Sequence, residues 1–152
     1  MFGLYVHIPF CEKKCIYCDF YSIERTEQIA EFVELLCCEI EQRALIIGHI
    51  PPATSVFFGG GTPSLLSPLQ LGRIITTIKD NFSIHSNAEW TMECNPGTIT
   101  PASLQAYRTL GINRLSYGVQ SFFAEDLKFL SRIHSQDEAI DAIRLSREAG
   151  FE

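Results

Sequence analysis

The chain has 152 residues, a formal net charge of −6, 46% apolar residues and 20% charged residues. This composition is typical of a globular domain with enough apolar residues to form a core. The acidic balance argues against a nucleic-acid-binding function, since phosphate contacts need a basic face, and no apolar run approaches the roughly 20 residues of a membrane span.

The N-terminal residues and the cysteine content favour a reducing compartment. Met1 to Leu4 lacks the basic region and cleavage site of a secretory signal. The six cysteines could pair in an oxidising compartment, but nothing else in the sequence implies one. We therefore predict a cytoplasmic protein.

Periodicity and turn residues predict four successive strand–loop–helix units. The strands are expected at about residues 3–8, 54–58, 89–94 and 114–120. Helices are expected at about 27–47, from the Ser67-Pro68 cap onward, from Thr100-Pro101 to near Gly111, and at about 124–131 and 136–149. Strands that alternate with helices at this spacing predict parallel βαβ units.

Apolar and polar side chains alternate along the first, third and fourth predicted strands. A doubly wound sheet would instead give continuous apolar runs, because helices cover both of its faces. We therefore predict an α/β fold with a (β/α) barrel, full or partial, whose polar face lines the interior and whose site lies at the C-terminal strand ends.

Four βα units cannot close a barrel, and the fourth strand would be left as an unpaired edge. The junction Ala149-Gly150-Phe151-Glu152 also echoes Leu110-Gly111-Ile112-Asn113, which a strand follows. The expectation is that residues 1–152 are the N-terminal part of a barrel domain, ending before the fifth strand, with a C-terminal domain outside them.

Three cysteines follow the first predicted strand with C-x3-C-x2-C spacing: Cys11, Cys15 and Cys18. Three thiolates leave one position open on a metal centre that needs four ligands. Structural zinc with a fourth ligand such as His7 is the alternative, although zinc knuckles usually contain two spaced pairs. The spacing resembles the signature of the radical S-adenosylmethionine (SAM) proteins, in which the amino and carboxylate groups of SAM chelate the fourth iron of a [4Fe–4S] cluster.

Further candidate residues fall at the ends of the next strands. Gly60, Gly61 and Thr62 follow the second strand, and glycines there let backbone approach a ligand, although a tight turn is the usual role of such a loop. Glu93 and Gln120 are expected on the inward face at the ends of strands three and four, where a carboxylate and an amide suit ribose hydroxyls.

Two other residues have an ordinary alternative beside a functional one. Tyr17 lies between the second and third cysteines and could cover the cluster or an adenine ring, or simply pack the loop. Arg132 begins the last helical stretch and could pair with the SAM carboxylate, or be a solvated cation at a helix end.

Longer motifs resemble one group within these proteins, the oxygen-independent coproporphyrinogen III oxidase-like family, which includes a haem chaperone branch. They are Leu4-Tyr5-Val6-His7-Ile8-Pro9-Phe10-Cys11, Gly59-Gly60-Gly61-Thr62-Pro63-Ser64, Glu93-Cys94-Asn95-Pro96-Gly97 and Asn113-Arg114-Leu115-Ser116-Tyr117-Gly118-Val119-Gln120-Ser121. The resemblance implies that the three cysteines bind the cluster. It also implies that SAM contacts Tyr5, Tyr17, Gly60, Gly61, Thr62, Glu93, Gln120 and Arg132.

Phe20 distinguishes the two branches of this family. The oxidase carries an extra cysteine two residues after the third cluster cysteine, where this chain has Phe20. The resemblance therefore favours a haem chaperone, which binds haem as cargo and delivers it to an acceptor protein, over an oxidase that decarboxylates a porphyrinogen. An electron donor and peripheral association with a membrane are implied for the full-length protein.

Overall fold

A four-stranded parallel sheet, with strand order β1-β2-β3-β4, organises the chain. The structure, a computed structural model, describes residues 2–151. Met1, from the N-terminal segment considered above, and Glu152, from the junction that begins at Ala149, lie outside the described residues. The strands are β1 (Gly3–Ile8), β2 (Ala53–Gly60), β3 (Ile84–Cys94) and β4 (Arg114–Tyr117). The helices are α1 (Ile29–Ile47), α2 (Pro68–Asn81), α3 (Pro101–Leu110), α4 (Ala124–Phe129) and α5 (Gln136–Glu148).

Local capping explains where the helices begin. The Gln70 N–H donates to Ser67 Oγ at 3.3 Å, and the Ser67 N–H donates to Gln70 Oε1 at 2.9 Å, which completes the predicted capping box of α2. Ser135 and Glu138 form the same reciprocal pair at the start of α5. These bonds satisfy donors that a helix N-terminus would otherwise leave without partners.

The two faces of the sheet differ as the alternation predicts. Val6, Val56, Phe58 and Met92 are at most 6% exposed and pack in the core with apolar side chains of the helices. On the opposite face, Tyr5 is 58% exposed. The parallel order with one helix-covered face confirms the predicted α/β fold, and it places the C-terminal ends of all four strands at one rim.

The observed boundaries correct the prediction at three strands. β2 runs over Ala53–Gly60 rather than about 54–58, so Gly60 belongs to the strand. β3 begins at Ile84 rather than at about residue 89, and β4 ends at Tyr117 rather than at about residue 120. Beyond Tyr117 the Gly118 N–H still donates to Cys94 O, but Gln120 takes a positive φ of 65°, which turns the chain out of the strand direction. Strand alternation therefore does not decide where Gln120 points.

The remaining three cysteines differ in exposure. Cys37 and Cys94 are buried, and burial raises the pKa of the Cys94 thiol, so both behave as small apolar core residues. Cys38 is exposed and takes no part in the core. The reason is helical geometry: Ile29, Val33, Cys37 and Ile40 form the buried stripe of α1, and the neighbouring position turns toward solvent.

None of the helices in residues 2–151 is long and apolar enough to cross a membrane.

Candidate functional site

The cysteine loop is closed at the rim of the sheet by backbone hydrogen bonds. The Ile23 N–H donates to Pro9 O at 2.7 Å, and the Cys11 N–H donates to Ile23 O at 3.0 Å. These bonds join the two ends of the loop directly beyond β1, at the edge where barrel sites form. The prediction that the three cysteines leave the C-terminal end of the first strand is therefore correct.

All three thiols line one small cavity, which we call the thiol cavity, of about 60 Å³. It is bounded by Cys11, Cys15, Cys18, Gly61, Thr62 and Arg132, among others. A second, larger cavity of about 280 Å³, the rim cavity, shares part of this wall. Its lining includes Tyr17, Cys18, Phe20, Gly60, Gly61, Thr62, Glu93, Gln120 and Arg132. Seven of the eight predicted SAM contacts thus border one cavity beside the thiols.

The donor set suits a multi-iron cluster better than a single ion. Within residues 2–151, no group of three or more His, Cys, Asp or Glu side chains is arranged to hold one metal ion. A tetrahedral zinc with Zn–S bonds of about 2.3 Å requires its sulfurs within about 4 Å of one another, whereas each thiolate of a cubane binds a different iron and lies farther from the next. Three thiols around one cavity are the donor set that a cubane with one open iron requires.

His7, the nearest fourth ligand for zinc, is engaged elsewhere. Its Nε2 donates to Tyr21 O at 3.0 Å, because a carbonyl can only accept, and its Nδ1 then accepts from the Tyr5 hydroxyl at 3.0 Å. Both ring nitrogens are therefore used within the protein.

Gly61 allows the second loop to approach Cys11 closely. The Gly61 N–H donates to Ile8 O at 2.9 Å and the Thr62 N–H donates to Phe10 O at 2.7 Å, which continues the pairing of β1 with β2 past the strand ends. A Cβ at Gly61 would lie 2.6 Å from Phe10 O and 3.0 Å from Cys11 Sγ. The Thr62 hydroxyl also donates to Cys11 Sγ at 3.7 Å. The glycine is required here for close packing against the thiol loop.

Glu93 and Gln120 reach the rim cavity in different ways. Glu93 lies at the end of β3 as predicted, and its Oε2 accepts a hydrogen bond from the Gly60 N–H at 3.1 Å. Gln120 lies in the loop after β4 and reaches the same cavity through its left-handed backbone conformation. The two side chains converge, although the strand argument for Gln120 is wrong.

Tyr5 is the predicted contact that does not border either cavity. It lies on the polar face of β1, where its ring stacks on Phe57 at a centroid distance of 6.1 Å. Partial burial, and secondarily the charge of Glu93, raise the pKa of the Tyr5 hydroxyl. A Cβ at Gly59 would lie 3.0 Å from the Tyr5 ring and 3.1 Å from Glu93 Oε2, so the Tyr5 ring and the Glu93 carboxylate approach each other over Gly59.

Arg132 is held at the cysteine loop rather than in solvent. It lies between α4 and α5, ahead of the helical stretch that it was expected to begin, and is half-buried. Its Nη1 donates to Cys15 Sγ at 3.4 Å and its Nη2 donates to Gly118 O at 2.6 Å. Its Nε is buried and has no hydrogen-bond partner in the part of the chain that the structure describes. The alternative of a solvated helix-end cation is therefore wrong.

Sequence reasoning assigned no partner to His134, which the structure places beside Arg132. The side chain is 3% exposed, its Nε2 donates to Val119 O at 3.1 Å, and its Nδ1 lies 3.3 Å from Arg132 Nη2. Burial, and then the positive charge of Arg132, lower the pKa of the His134 imidazole below its ordinary value of 6.5. The signal that could have indicated this residue is its position two residues after Arg132, next to the Ser135 helix cap.

Acidification is expected to destabilise the fold through His134. Because the His134 pKa is lower in the folded state than the unfolded value of 6.5, the unfolded chain binds more protons as the pH falls below that value. The contribution of His134 to the free energy of unfolding is thus intact above about pH 6.5 and is lost as the pH falls toward the folded-state pKa. Between about pH 7.5 and about pH 5.5, the urea midpoint of the full-length protein should fall by less in His134→Gln than in the wild type. Equal decreases in the two proteins would contradict this expectation.

These elements define a class of protein: an α/β fold whose parallel strands end at a three-thiol loop, a glycine-rich loop and a half-buried arginine. The chain belongs to the Radical SAM superfamily, whose family model matches residues 5–152. Membership implies a [4Fe–4S] cluster and SAM as cofactors.

Similar proteins support this assignment. The chain is 40% identical over 147 residues to the mitochondrial radical S-adenosyl methionine domain-containing protein 1 of Danio rerio, covering 96% of this chain and 33% of that protein. It is 38% identical over 151 residues to the haem chaperone HemW of Escherichia coli (strain K12), covering 98% of this chain and 40% of that protein. The solved coproporphyrinogen III oxidase HemN of Escherichia coli, described as a radical SAM enzyme, superposes with a TM-score of 0.90 at 32% identity, covering 99% of this chain and 35% of that one. The chain thus spans about a third to two fifths of the length of these relatives.

Proposed function

We propose that this chain carries the [4Fe–4S] and SAM-binding region of a haem chaperone. The observation that carries the proposal is the convergence of Cys11, Cys15 and Cys18 on one cavity whose wall continues into Gly61, Thr62 and Arg132. The three thiolates would hold three irons and leave the fourth iron without a protein ligand. When bound, the cluster would supply one electron for the reductive cleavage of SAM.

The chain's own groups suit the parts of SAM. The N–H groups of Gly60, Gly61 and Thr62 all donate to acceptors within the protein, so the carbonyl oxygens are what this loop offers to the SAM ammonium. The buried Arg132 Nε, which has no acceptor within residues 2–151, suits the carboxylate. Glu93 and Gln120 would bind the ribose hydroxyls, Tyr17 would cover the cluster or the adenine, and Tyr5 would support SAM from the polar face of β1.

Phe20 favours the chaperone over the oxidase. The side chain is 66% exposed and borders the rim cavity, at the position where the oxidase has an additional cysteine. Over the aligned residues, this chain is 36–40% identical to relatives that are haem chaperones by name and 32% identical to the oxidase structure. The second candidate function, oxidation of coproporphyrinogen III, is supported by the close structural similarity to HemN.

We also propose a reducing, cytoplasmic setting. All six cysteines are free thiols in the part of the chain that the structure describes, and the three partly buried thiols at the cavity would have to stay reduced to bind a cluster. Haem would be the cargo of the full-length protein. An acceptor protein, an electron donor and peripheral membrane association complete the proposal.

The test compares haem binding with porphyrinogen turnover in the full-length protein. After anaerobic purification and cluster reconstitution, we expect a haem absorption band that saturates with added haem, and no decarboxylation of coproporphyrinogen III in the presence of SAM and a reductant. Turnover of the porphyrinogen would overturn the chaperone proposal and support the oxidase. HemN and HemW of Escherichia coli serve as the controls for the two outcomes.

A further inference from the structure

His134 is buried where three segments meet: its own segment before α5, the turn after β3 and the loop after β4. It is 3% exposed, and its Cβ lies 3.7 Å from the position that a Cβ would take at Gly97, in the turn that follows β3. Its ring also contacts the backbone of the loop after β4 and the side chain of Arg132. Burial of an imidazole without hydrogen bonds costs free energy, so both ring nitrogens need partners here.

The partners of His134 define which nitrogen carries the proton. Val119 O can only accept, so Nε2 carries the hydrogen; Arg132 can only donate, so Nδ1 presents its lone pair to Nη2. The same Nη2 donates its other hydrogen to Gly118 O at 2.6 Å. The neutral Nε2–H tautomer gives both ring nitrogens of His134 and both hydrogens of Arg132 Nη2 a partner.

Arg132 depends on these neutral acceptors for its orientation. Within residues 2–151, no carboxylate lies within salt-bridge distance of its guanidinium. Its contacts are instead the Cys15 sulfur, the Gly118 carbonyl and the His134 imidazole. A half-buried cation that the protein does not neutralise remains available for a ligand carboxylate.

We propose that His134 is a positioning residue that holds the Arg132 guanidinium at the thiol cavity for the carboxylate of SAM. The inference rests on the proposed function, in which Arg132 binds that carboxylate. His134 does not line either cavity, and so it acts through Arg132 and not by touching the cofactor. The Val119 carbonyl holds Nε2 of the His134 ring, and Nδ1 on the other side of the ring holds Arg132 Nη2.

A double-mutant cycle in the full-length, cluster-loaded protein tests this role. The variants are His134→Leu, Arg132→Met and the combination, and the readout is the Kd for SAM by anaerobic calorimetry, with iron content and thermal midpoint measured for each. Loss of an outer hydrogen bond that orients a metal ligand typically costs about 10–100-fold in affinity, and by analogy we expect His134→Leu to raise the Kd for SAM at least about tenfold. In the Arg132→Met background the same substitution should change the Kd by less than about twofold, because the group through which it acts is gone.

Each outcome has a defined meaning. An unchanged Kd in His134→Leu, or effects that multiply in the double variant, would overturn the positioning role. An unchanged Kd in Arg132→Met would instead refute the assignment of Arg132 in the proposed function. If His134→Leu does not retain its cluster, His134→Asn decides: its amide oxygen can accept from Arg132 near the Nδ1 position, so a Kd within about threefold of the wild type supports the proposal and a tenfold increase overturns it.

Discussion

Replacement of Cys15 by alanine is expected to abolish cluster assembly. Cys15 is one of three thiols around the thiol cavity, and its sulfur also accepts a hydrogen bond from Arg132 at 3.4 Å. With two thiolates left, two of the four irons would lack protein ligands, and a cubane is not retained on such a site. After anaerobic reconstitution, iron should fall from about four per chain to well below one, with loss of the charge-transfer absorption of the cluster.

Cys38→Ala is the matched control for this experiment. Cys38 is exposed on α1, away from both cavities, so its removal should leave iron, sulfide and absorption unchanged. Equal iron in the Cys15 and Cys38 variants would contradict the cluster assignment. One zinc per chain with no iron in the wild type would point instead to a zinc-stabilised α/β domain.

Local interactions explain which features the sequence predicts well. The capping pairs of Ser67 with Gln70 and of Ser135 with Glu138 join residues three apart, a spacing that can be read from the sequence, and both pairs form. The faces of the strands follow from alternation, so Glu93 lies on the polar face as predicted. The loop after each parallel strand must lie at one edge of the sheet, and this places the cysteines beside Gly61.

Tertiary contacts explain what the sequence does not predict. Arg132 meets Cys15 across 117 positions of sequence, and no periodicity in the chain encodes that contact. His134 is buried by Gly97 and Val119, which belong to other segments. Gln120 reaches the rim cavity through a positive φ that non-glycine residues seldom adopt. The predicted fourth strand, extended to residue 120, therefore places Gln120 near this cavity but with the wrong backbone conformation.

Gly61→Ala is expected to disrupt both the thiol cavity and the SAM-binding loop. The added Cβ would lie 2.6 Å from Phe10 O and 3.0 Å from Cys11 Sγ, closer than carbon normally approaches either atom. Overpacking of this kind typically costs about 1–3 kcal/mol of stability, and here the strain falls on a candidate cluster ligand. We expect iron incorporation to fall several-fold, and the remaining cluster to show a much smaller change in its electron paramagnetic resonance spectrum when SAM is added.

The clash at Gly61 cannot be relieved by a small movement of its neighbours. Phe10 is 1% exposed, its ring packs edge-on against Phe32 at 5.2 Å, and its carbonyl accepts the Thr62 N–H at 2.7 Å. The 2.6 Å contact with Phe10 O therefore pushes the backbone of the two loops apart, and the 3.0 Å contact displaces Cys11 Sγ in the cavity that it shares with the other two thiols. Gly97→Ala is the control, since its Cβ would meet atoms only at 3.7 Å and beyond; normal iron and a normal SAM response in Gly61→Ala would show that the close approach of this loop is not needed.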